Sequence, residues 1–372
     1  VIPQRGVYTV GNRQFFNKVP ALQYATETES QVTWSYGDEY FSQFDWETEP
    51  TESLSQLYID RCQQLRDDYD YLILYYSGGS DSHNILTHFI KSGIHIDEVV
   101  SFYPIEYYEK KHGANLSTDK KEMQNEWYYT GLPDFKNLTK LIPNTKLTLL
   151  DYTRDCVNLD IPDDWQDIVG EVLHANIAKR TSIFKDKNLL LQSEKGKVAL
   201  IHGIDKPRVF TVNGDWYFAF LDLIAGLTPA LPRSLLNSGA VTEHFYWSDK
   251  SVKMLIKQAH AVKKFWLSNS TTFPPPQQKK ISFEIRQIYD NITRSIVYPY
   301  WRKEIFQIDK PTSLWFNDTE IWIFDESKKV STFWNDFYMQ LTSSIDKKYM
   351  QSSLENKNPD GFVGFWSKWH KI

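Results

Sequence analysis

The sequence predicts an α/β protein centred on a parallel, twisted sheet with flanking helices. Three observations predict it. Residues 71–93 run from an apolar strand through a Ser/Gly/Asp turn into a helix. Three further strand candidates, Ile96 to Tyr103, Lys146 to Leu150 and Lys197 to Ile201, follow at intervals that leave room for crossovers. Between the last two, Trp165, Ile168, Val169, Val172, Leu173 and Ile177 recur at helical spacing over Asp163 to Lys179. Strands of a parallel sheet are covered on both faces and read as unbroken apolar runs, as Tyr71 to Tyr76 does.

Residues 1–50 read as a small β-rich extension. Val7, Tyr8, Val10 and Phe15 flank a turn at Gly11-Asn12, and Val32 to Tyr36 is a further strand candidate. Residues 51–235 form the α/β domain. In it, Leu54, Leu57, Tyr58, Cys62 and Leu65 share one face of a helix from Glu52 to Asp67. After the turn, Ile85, Leu86, Phe89 and Ile90 keep helical spacing, and Gly93 stands where a C-terminal glycine belongs. Residues 105–146 are a polar insertion with Lys110-Lys111 and Lys120-Lys121. Such a run is ordinarily a solvated face; the alternative is an element that covers substrate.

Asn213-Gly214-Asp215 marks a hairpin turn within Asn213 to Leu223. Near residues 230–240 the α/β pattern stops, and residues 236–372 are expected to be a mainly helical C-terminal region. It holds helices at Ser251 to Leu267, Phe283 to Ile296 and Val330 to Met339, a stiff break at Phe273 to Pro276 and a short strand at Thr319 to Phe324. The tail carries Phe362, Phe365, Trp366 and Trp369 and is expected to dock on the body or on a partner.

The turn after the first strand reads Ser77-Gly78-Gly79-Ser80-Asp81-Ser82. Strand, glycine turn and helix start together make an anion site, because the first helical N–H groups are unpaired and the helix dipole favours negative charge there. Gly78 and Gly79 let a phosphate approach the backbone, and Ser77, Ser80 and Ser82 add hydroxyl donors. Asp81 suits helix capping or a magnesium ion. This is not the Walker motif, since no Gly-Lys-Ser/Thr follows. A second candidate segment, His202-Gly203-Ile204-Asp205-Lys206-Pro207-Arg208, follows a strand and should end beside the first loop, at the carboxyl edge where ligands of such sheets bind.

The hexapeptide resembles the Ser-Gly-Gly-x-Asp-Ser signature of the ATP pyrophosphatase (PP-loop) superfamily, whose fold is adenine nucleotide alpha-hydrolase-like. Gly203, Asp205, Lys206 and Arg208 resemble, more loosely, that superfamily's second motif. The resemblance spans roughly residues 70–225 and lies nearest the asparagine-synthetase-like branch. It implies an AMP-forming ligase that binds ATP with magnesium, adenylates a substrate oxygen and hands the product to an amine or similar nucleophile. It implies phosphate contacts from Ser77, Gly78, Gly79, Ser80 and Ser82, a further nucleotide contact from Gly203, adenine contacts mostly through backbone atoms from Ser101, Phe102 and Tyr103, magnesium on Asp81 and Asp205, and transition-state charge on Lys206 and Arg208, with Asp81, Lys206 and Arg208 as the catalytic set. The acceptor it implies is a small molecule. Residues 1–50 are too short, and lack the leading Cys, for the glutaminase domain of that branch.

Composition narrows the classes. A net charge of −5 disfavours a generally basic nucleic-acid surface, so a nucleic-acid-modifying enzyme is the second choice and a non-catalytic nucleotide binder the third. The two cysteines, Cys62 and Cys156, form no Cys-x-x-Cys, which removes zinc ribbons and cysteine-dependent branches. No apolar run is long enough to span a membrane, and no secretory signal is visible, so a cytoplasmic protein is expected.

Overall fold

The computed structural model describes residues 5–113, 127–153, 187–222, 238–269, 283–301, 343–352 and 359–372, with isolated positions between them. The expected helices at 163–179 and 330–339, half of the segment at 273–276 and all but one residue of the segment at 319–324 lie outside these residues.

The centre is a five-stranded, wholly parallel sheet. Its strands are β4 (Tyr71–Tyr75), β5 (Glu98–Tyr103), β6 (Lys146–Asp151), β7 (Val198–His202) and β10 (Ala240–His244), in the order β10-β7-β4-β5-β6. Among the described residues there are three further, small antiparallel sheets. One joins β1 (Val7–Val10), β2 (Arg13–Phe15) and β3 (Val32–Ser35). A second joins β8 (Arg208–Val212), β9 (Asp215–Ala219) and β13 (His370–Lys371), and the third pairs β11 (Met350–Ser352) with β12 (Pro359–Phe362).

Both faces of the main sheet are apolar. On one, Leu72, Leu74, Val99, Ala199 and Ile201 pack in the large core that also takes Leu57, Cys62 and Leu65 of α3 (Leu54–Asp68) and Ile85 and Phe89 of α4 (Ser80–Ser92). On the other, Ile73, Val100, Val198 and Leu200 meet Leu189 of α7 (Lys187–Lys195). Alternate residues of each strand therefore serve opposite cores, as the unbroken apolar runs require. Cys62 is a buried core residue. No described helix is long and apolar enough to cross a membrane.

The structure departs from expectation at three places. The N-terminal extension contains a helix, α1 (Lys18–Thr28), whose Val19, Ala21, Leu22 and Ala25 are buried. Its Pro20 lies in the first turn, where a missing N–H breaks no helical bond. The sheet does not stop near residue 235, because β10 pairs in parallel with β7 from Ala240 to His244. The hairpin at Asn213-Gly214 is longer than expected and begins at Arg208; both turn residues take positive φ, as a tight two-residue hairpin needs.

The polar insertion yields α5 (Ile105–His112), a single π turn at Trp127–Gly131 and α6 (Leu132–Leu141). In the C-terminal region, α8 (Val252–Ser268) and α9 (Phe283–Val297) match expectation closely. The aromatic tail docks on the body. Trp366 bridges to Leu221, β13 pairs with β9, and the Ile372 N–H donates to the Trp216 carbonyl at 3.0 Å.

Candidate functional site

Strand order reverses between β4 and β7, since the chain moves from β4 outward to β5 and β6 and returns to β7 on the other side. At such a switch point the loops leaving the two strands diverge and open a crevice at the carboxyl edge. The loop after β4 is 76–79, and the segment after β7 is 203–207. Both candidate motifs thus lie at this point.

The first loop is built by its own hydroxyls. The Ser82 hydroxyl accepts from the Ser77 N–H at 3.2 Å, donates to the Gly79 carbonyl at 3.2 Å and lies 3.3 Å from the Ser77 hydroxyl, which accepts from the Gly79 N–H at 3.3 Å. Ser82 and Ser77 therefore shape the turn, and Ser82 is buried. Gly78 has a φ of +77°, and a Cβ there would stand 2.6 Å from the Cα of Gly131. The π turn Trp127–Gly131 thus lies directly on the loop, so part of the polar insertion covers it. Gly79 is the N-cap of α4, whose first turn carries Ser80 and Asp81. The N-cap, a glycine, makes no side-chain cap, and the Asp81 carboxylate faces Lys206.

The second segment reaches the first through Lys206. Its Nζ lies 3.1 Å and 3.3 Å from the two carboxylate oxygens of Asp81 and 3.6 Å from Oδ1 of Asp205. Arg208 donates from Nη2 to Asp205 Oδ2 at 2.6 Å. Burial would push the Asp205 carboxyl up, but the charges of Arg208 and Lys206 and the Lys206 N–H bond hold it at about 2. Arg208 is raised in turn, Asp205 and Asp290 outweighing its burial. Gly203 lets the two loops touch, since a Cβ there would stand 3.2 Å from the Ser82 nitrogen and from Ile85 Cδ1.

Asp205 supplies a pH prediction. Its folded pKa lies below the ordinary value of 3.8, so its contribution to stability is full above that value and is lost as pH falls towards about 2. The size is on the order of 2 kcal/mol. Urea unfolding of Asp205→Asn and the parent should show a gap that is constant near neutrality and narrows below about pH 4. A gap that stays constant through that range would show that Asp205 is not held ionised by its neighbours.

The adenine set divides. The Ser101 hydroxyl is buried and donates to the Tyr76 carbonyl at 2.7 Å, fixing the residue that leads into the loop. Tyr103 is buried against Trp127, with ring centroids 5.1 Å apart. Only Phe102 remains partly exposed, edge-on to Tyr75 at 5.8 Å, and Tyr75 also meets His202 at 4.7 Å. His83 turns to the insertion, with Nδ1 3.5 Å from Asp134 Oδ2.

Three site residues carry no sequence signal. Tyr298, just after α9, donates its hydroxyl to the Asp81 carboxylate. Tyr246 donates to the Asp81 carbonyl at 2.8 Å and accepts from Asn84 Nδ2 at 3.0 Å. Asp290 of α9 pairs with Arg208 Nη1 at 3.6 Å. Each is brought in by chain folding over a long separation, with no local motif to mark it.

Among the described residues no group of three or more His, Cys, Asp or Glu could hold a metal ion. Two carboxylates converge on one cation here, however, with the Lys206 ammonium between Asp81 and Asp205. A pair of acids suits magnesium, which commonly takes one or two carboxylates and completes its shell with water and substrate phosphates. Comparison with protein-family models, curated proteins and solved structures finds no match to the chain.

Proposed function

We propose that the chain is an AMP-forming, ATP-dependent ligase of the PP-loop type, nearest the asparagine-synthetase-like branch. One observation carries this reading: Asp81, in the first helical turn after the glycine loop, and Lys206 after β7 meet at a helix N-terminus on the sheet's switch point. An N-terminus with glycines offers N–H donors to phosphate, and a nearby ammonium offsets the charge of a departing pyrophosphate.

In this reaction an oxygen of a small acceptor attacks the α-phosphorus of ATP. The bond from that phosphorus to the bridging oxygen breaks, and pyrophosphate leaves with the bonding pair. An amine or similar nucleophile then attacks the activated carbon, the bond to the AMP oxygen breaks, and an amide-type product forms as the nucleophile loses a proton. The backbone of Gly78, Gly79 and Ser80 binds phosphate. Lys206 and Arg208 stabilise the negative charge, and Asp205 fixes both cations. Asp81 and Asp205 would hold magnesium, whose chemistry here is to neutralise phosphate charge. Phe102 is the adenine contact best placed to remain open to a ligand.

The test is calorimetric binding of ATP with and without magnesium, followed by product analysis in a metabolite pool. AMP and pyrophosphate are expected. ADP and phosphate, or tight binding without turnover, would overturn the ligase reading in favour of other chemistry or a nucleotide sensor.

A further inference from the structure

Helix α9 and the residue after it bring two side chains to the paired loops. We propose that Tyr298 and Asp290 are positioning residues of the candidate site, which makes the C-terminal region a working part of it. This rests on the adenylation reading above. The Tyr298 hydroxyl donates to Oδ1 of Asp81, the oxygen that Lys206 Nζ approaches at 3.1 Å. The hydroxyl supplies the proton of this bond, since an ionised carboxylate only accepts. Its ring packs on Tyr246 at 5.6 Å, and Tyr246 holds the Asp81 carbonyl at 2.8 Å. The backbone and the side chain of Asp81 are thus each held by a tyrosine.

Asp290 does the corresponding work on the second segment. It lies 3.6 Å from Arg208 Nη1 while Asp205 takes Nη2 at 2.6 Å. Acids on two nitrogens of one planar guanidinium fix its orientation as well as its place. A purely structural role for Tyr298 would need its ring, which phenylalanine supplies equally. The hydroxyl is needed only where the direction of the Asp81 carboxylate matters.

The experiment is calorimetric titration of ATP into the full chain at a series of magnesium concentrations, for the parent, Tyr298→Phe, Asp290→Asn and Tyr300→Phe. Tyr300 is the control, because its hydroxyl lies 3.4 Å from Ser55 Oγ and its ring under Lys91. Tyr298→Phe is expected to weaken ATP about tenfold and to raise the magnesium needed for half-maximal binding, as loss of one hydrogen bond to a charged group does. Asp290→Asn should weaken ATP by about threefold, since Asp205 still holds Arg208. Tyr300→Phe should bind as the parent does, with every variant titrated below its own unfolding transition. Parent-like affinity and magnesium dependence in Tyr298→Phe would overturn the inference while leaving the ligase reading standing. So would equal weakening in Tyr298→Phe and Tyr300→Phe, which would mark a general loosening of the C-terminal region. Failure of the parent to bind ATP with magnesium would overturn the ligase reading, and this inference with it.

Discussion

Asp81→Ala is expected to lose pyrophosphate release by on the order of a thousandfold in any metabolite pool that supports turnover by the parent. Three effects combine. The carboxylate shared by Lys206 and Tyr298 disappears, so among the described residues Lys206 keeps only Asp205 as an acid partner, at 3.6 Å, and is drawn away from the helix N-terminus. The pair of acids suited to magnesium becomes one. The Tyr298 hydroxyl loses its carboxylate acceptor. The loop itself should survive, because the bonds that shape it run between Ser77, Gly79 and Ser82 and do not use the Asp81 carboxylate. Lys206→Ala should match the loss in rate, and far-ultraviolet circular dichroism of both variants should match the parent. Ser80→Ala is expected to lose turnover as well, through its place in the first turn of α4. Unchanged turnover in Asp81→Ala would remove this crevice as the reaction site.

The glycine loop and four of the five sheet strands are legible because their signals are local. An unbroken apolar run followed by Ser-Gly-Gly-Ser-Asp-Ser and a 3.6-residue spacing needs no distant partner to be read. Strand β10 is not legible in this way. Its sequence is Ala-Val-Thr-Glu-His, and a buried strand holding Glu243 and His244 breaks the apolar rule. The structure supplies the reason: Arg61 of α3, itself buried, donates to Glu243 Oε2 at 2.7 Å and to the His244 carbonyl at 2.8 Å. Tyr69 also donates to Glu243. Burial alone would raise the Glu243 carboxyl, but Arg61 and the Tyr69 hydrogen bond bring it below its ordinary value, so it remains a paired anion. The same limit applies at the candidate site. Asp81 and Lys206 sit in recognisable segments, whereas Tyr298 and Asp290 become candidate-site residues only when α9, packed on α8, is brought to the loops. Ser82 shows the converse, since its position suggested a hydroxyl donor to phosphate and its hydroxyl is used in holding the loop.

Asp222→Ala is expected to cost about 3–5 kcal/mol of stability, the largest structural effect among the changes considered. Asp222 follows the hairpin of β8 and β9, and it joins three parts of the chain. Its Oδ2 lies 2.9 Å from Lys18 Nζ of α1 and accepts from the Tyr8 hydroxyl of β1 at 2.9 Å. Its Oδ1 accepts from the Phe365 N–H of the tail at 2.9 Å. The side chains of both Asp222 and Lys18 are fully buried. Removing the acid takes from the buried Lys18 ammonium a carboxylate at 2.9 Å, and breaking a buried pair is far costlier than removing both partners. The double variant Lys18→Met with Asp222→Leu should therefore recover most of the loss, and urea midpoints of the two single variants and the double variant measure this directly. A cost below about 1 kcal/mol for Asp222→Ala would place its worth among those of ordinary surface ion pairs. Below its own unfolding transition, Asp222→Ala should bind ATP with magnesium as tightly as the parent. None of its partners lies on the loops at the carboxyl edge, so the extension and the tail are clasped together independently of the site they flank.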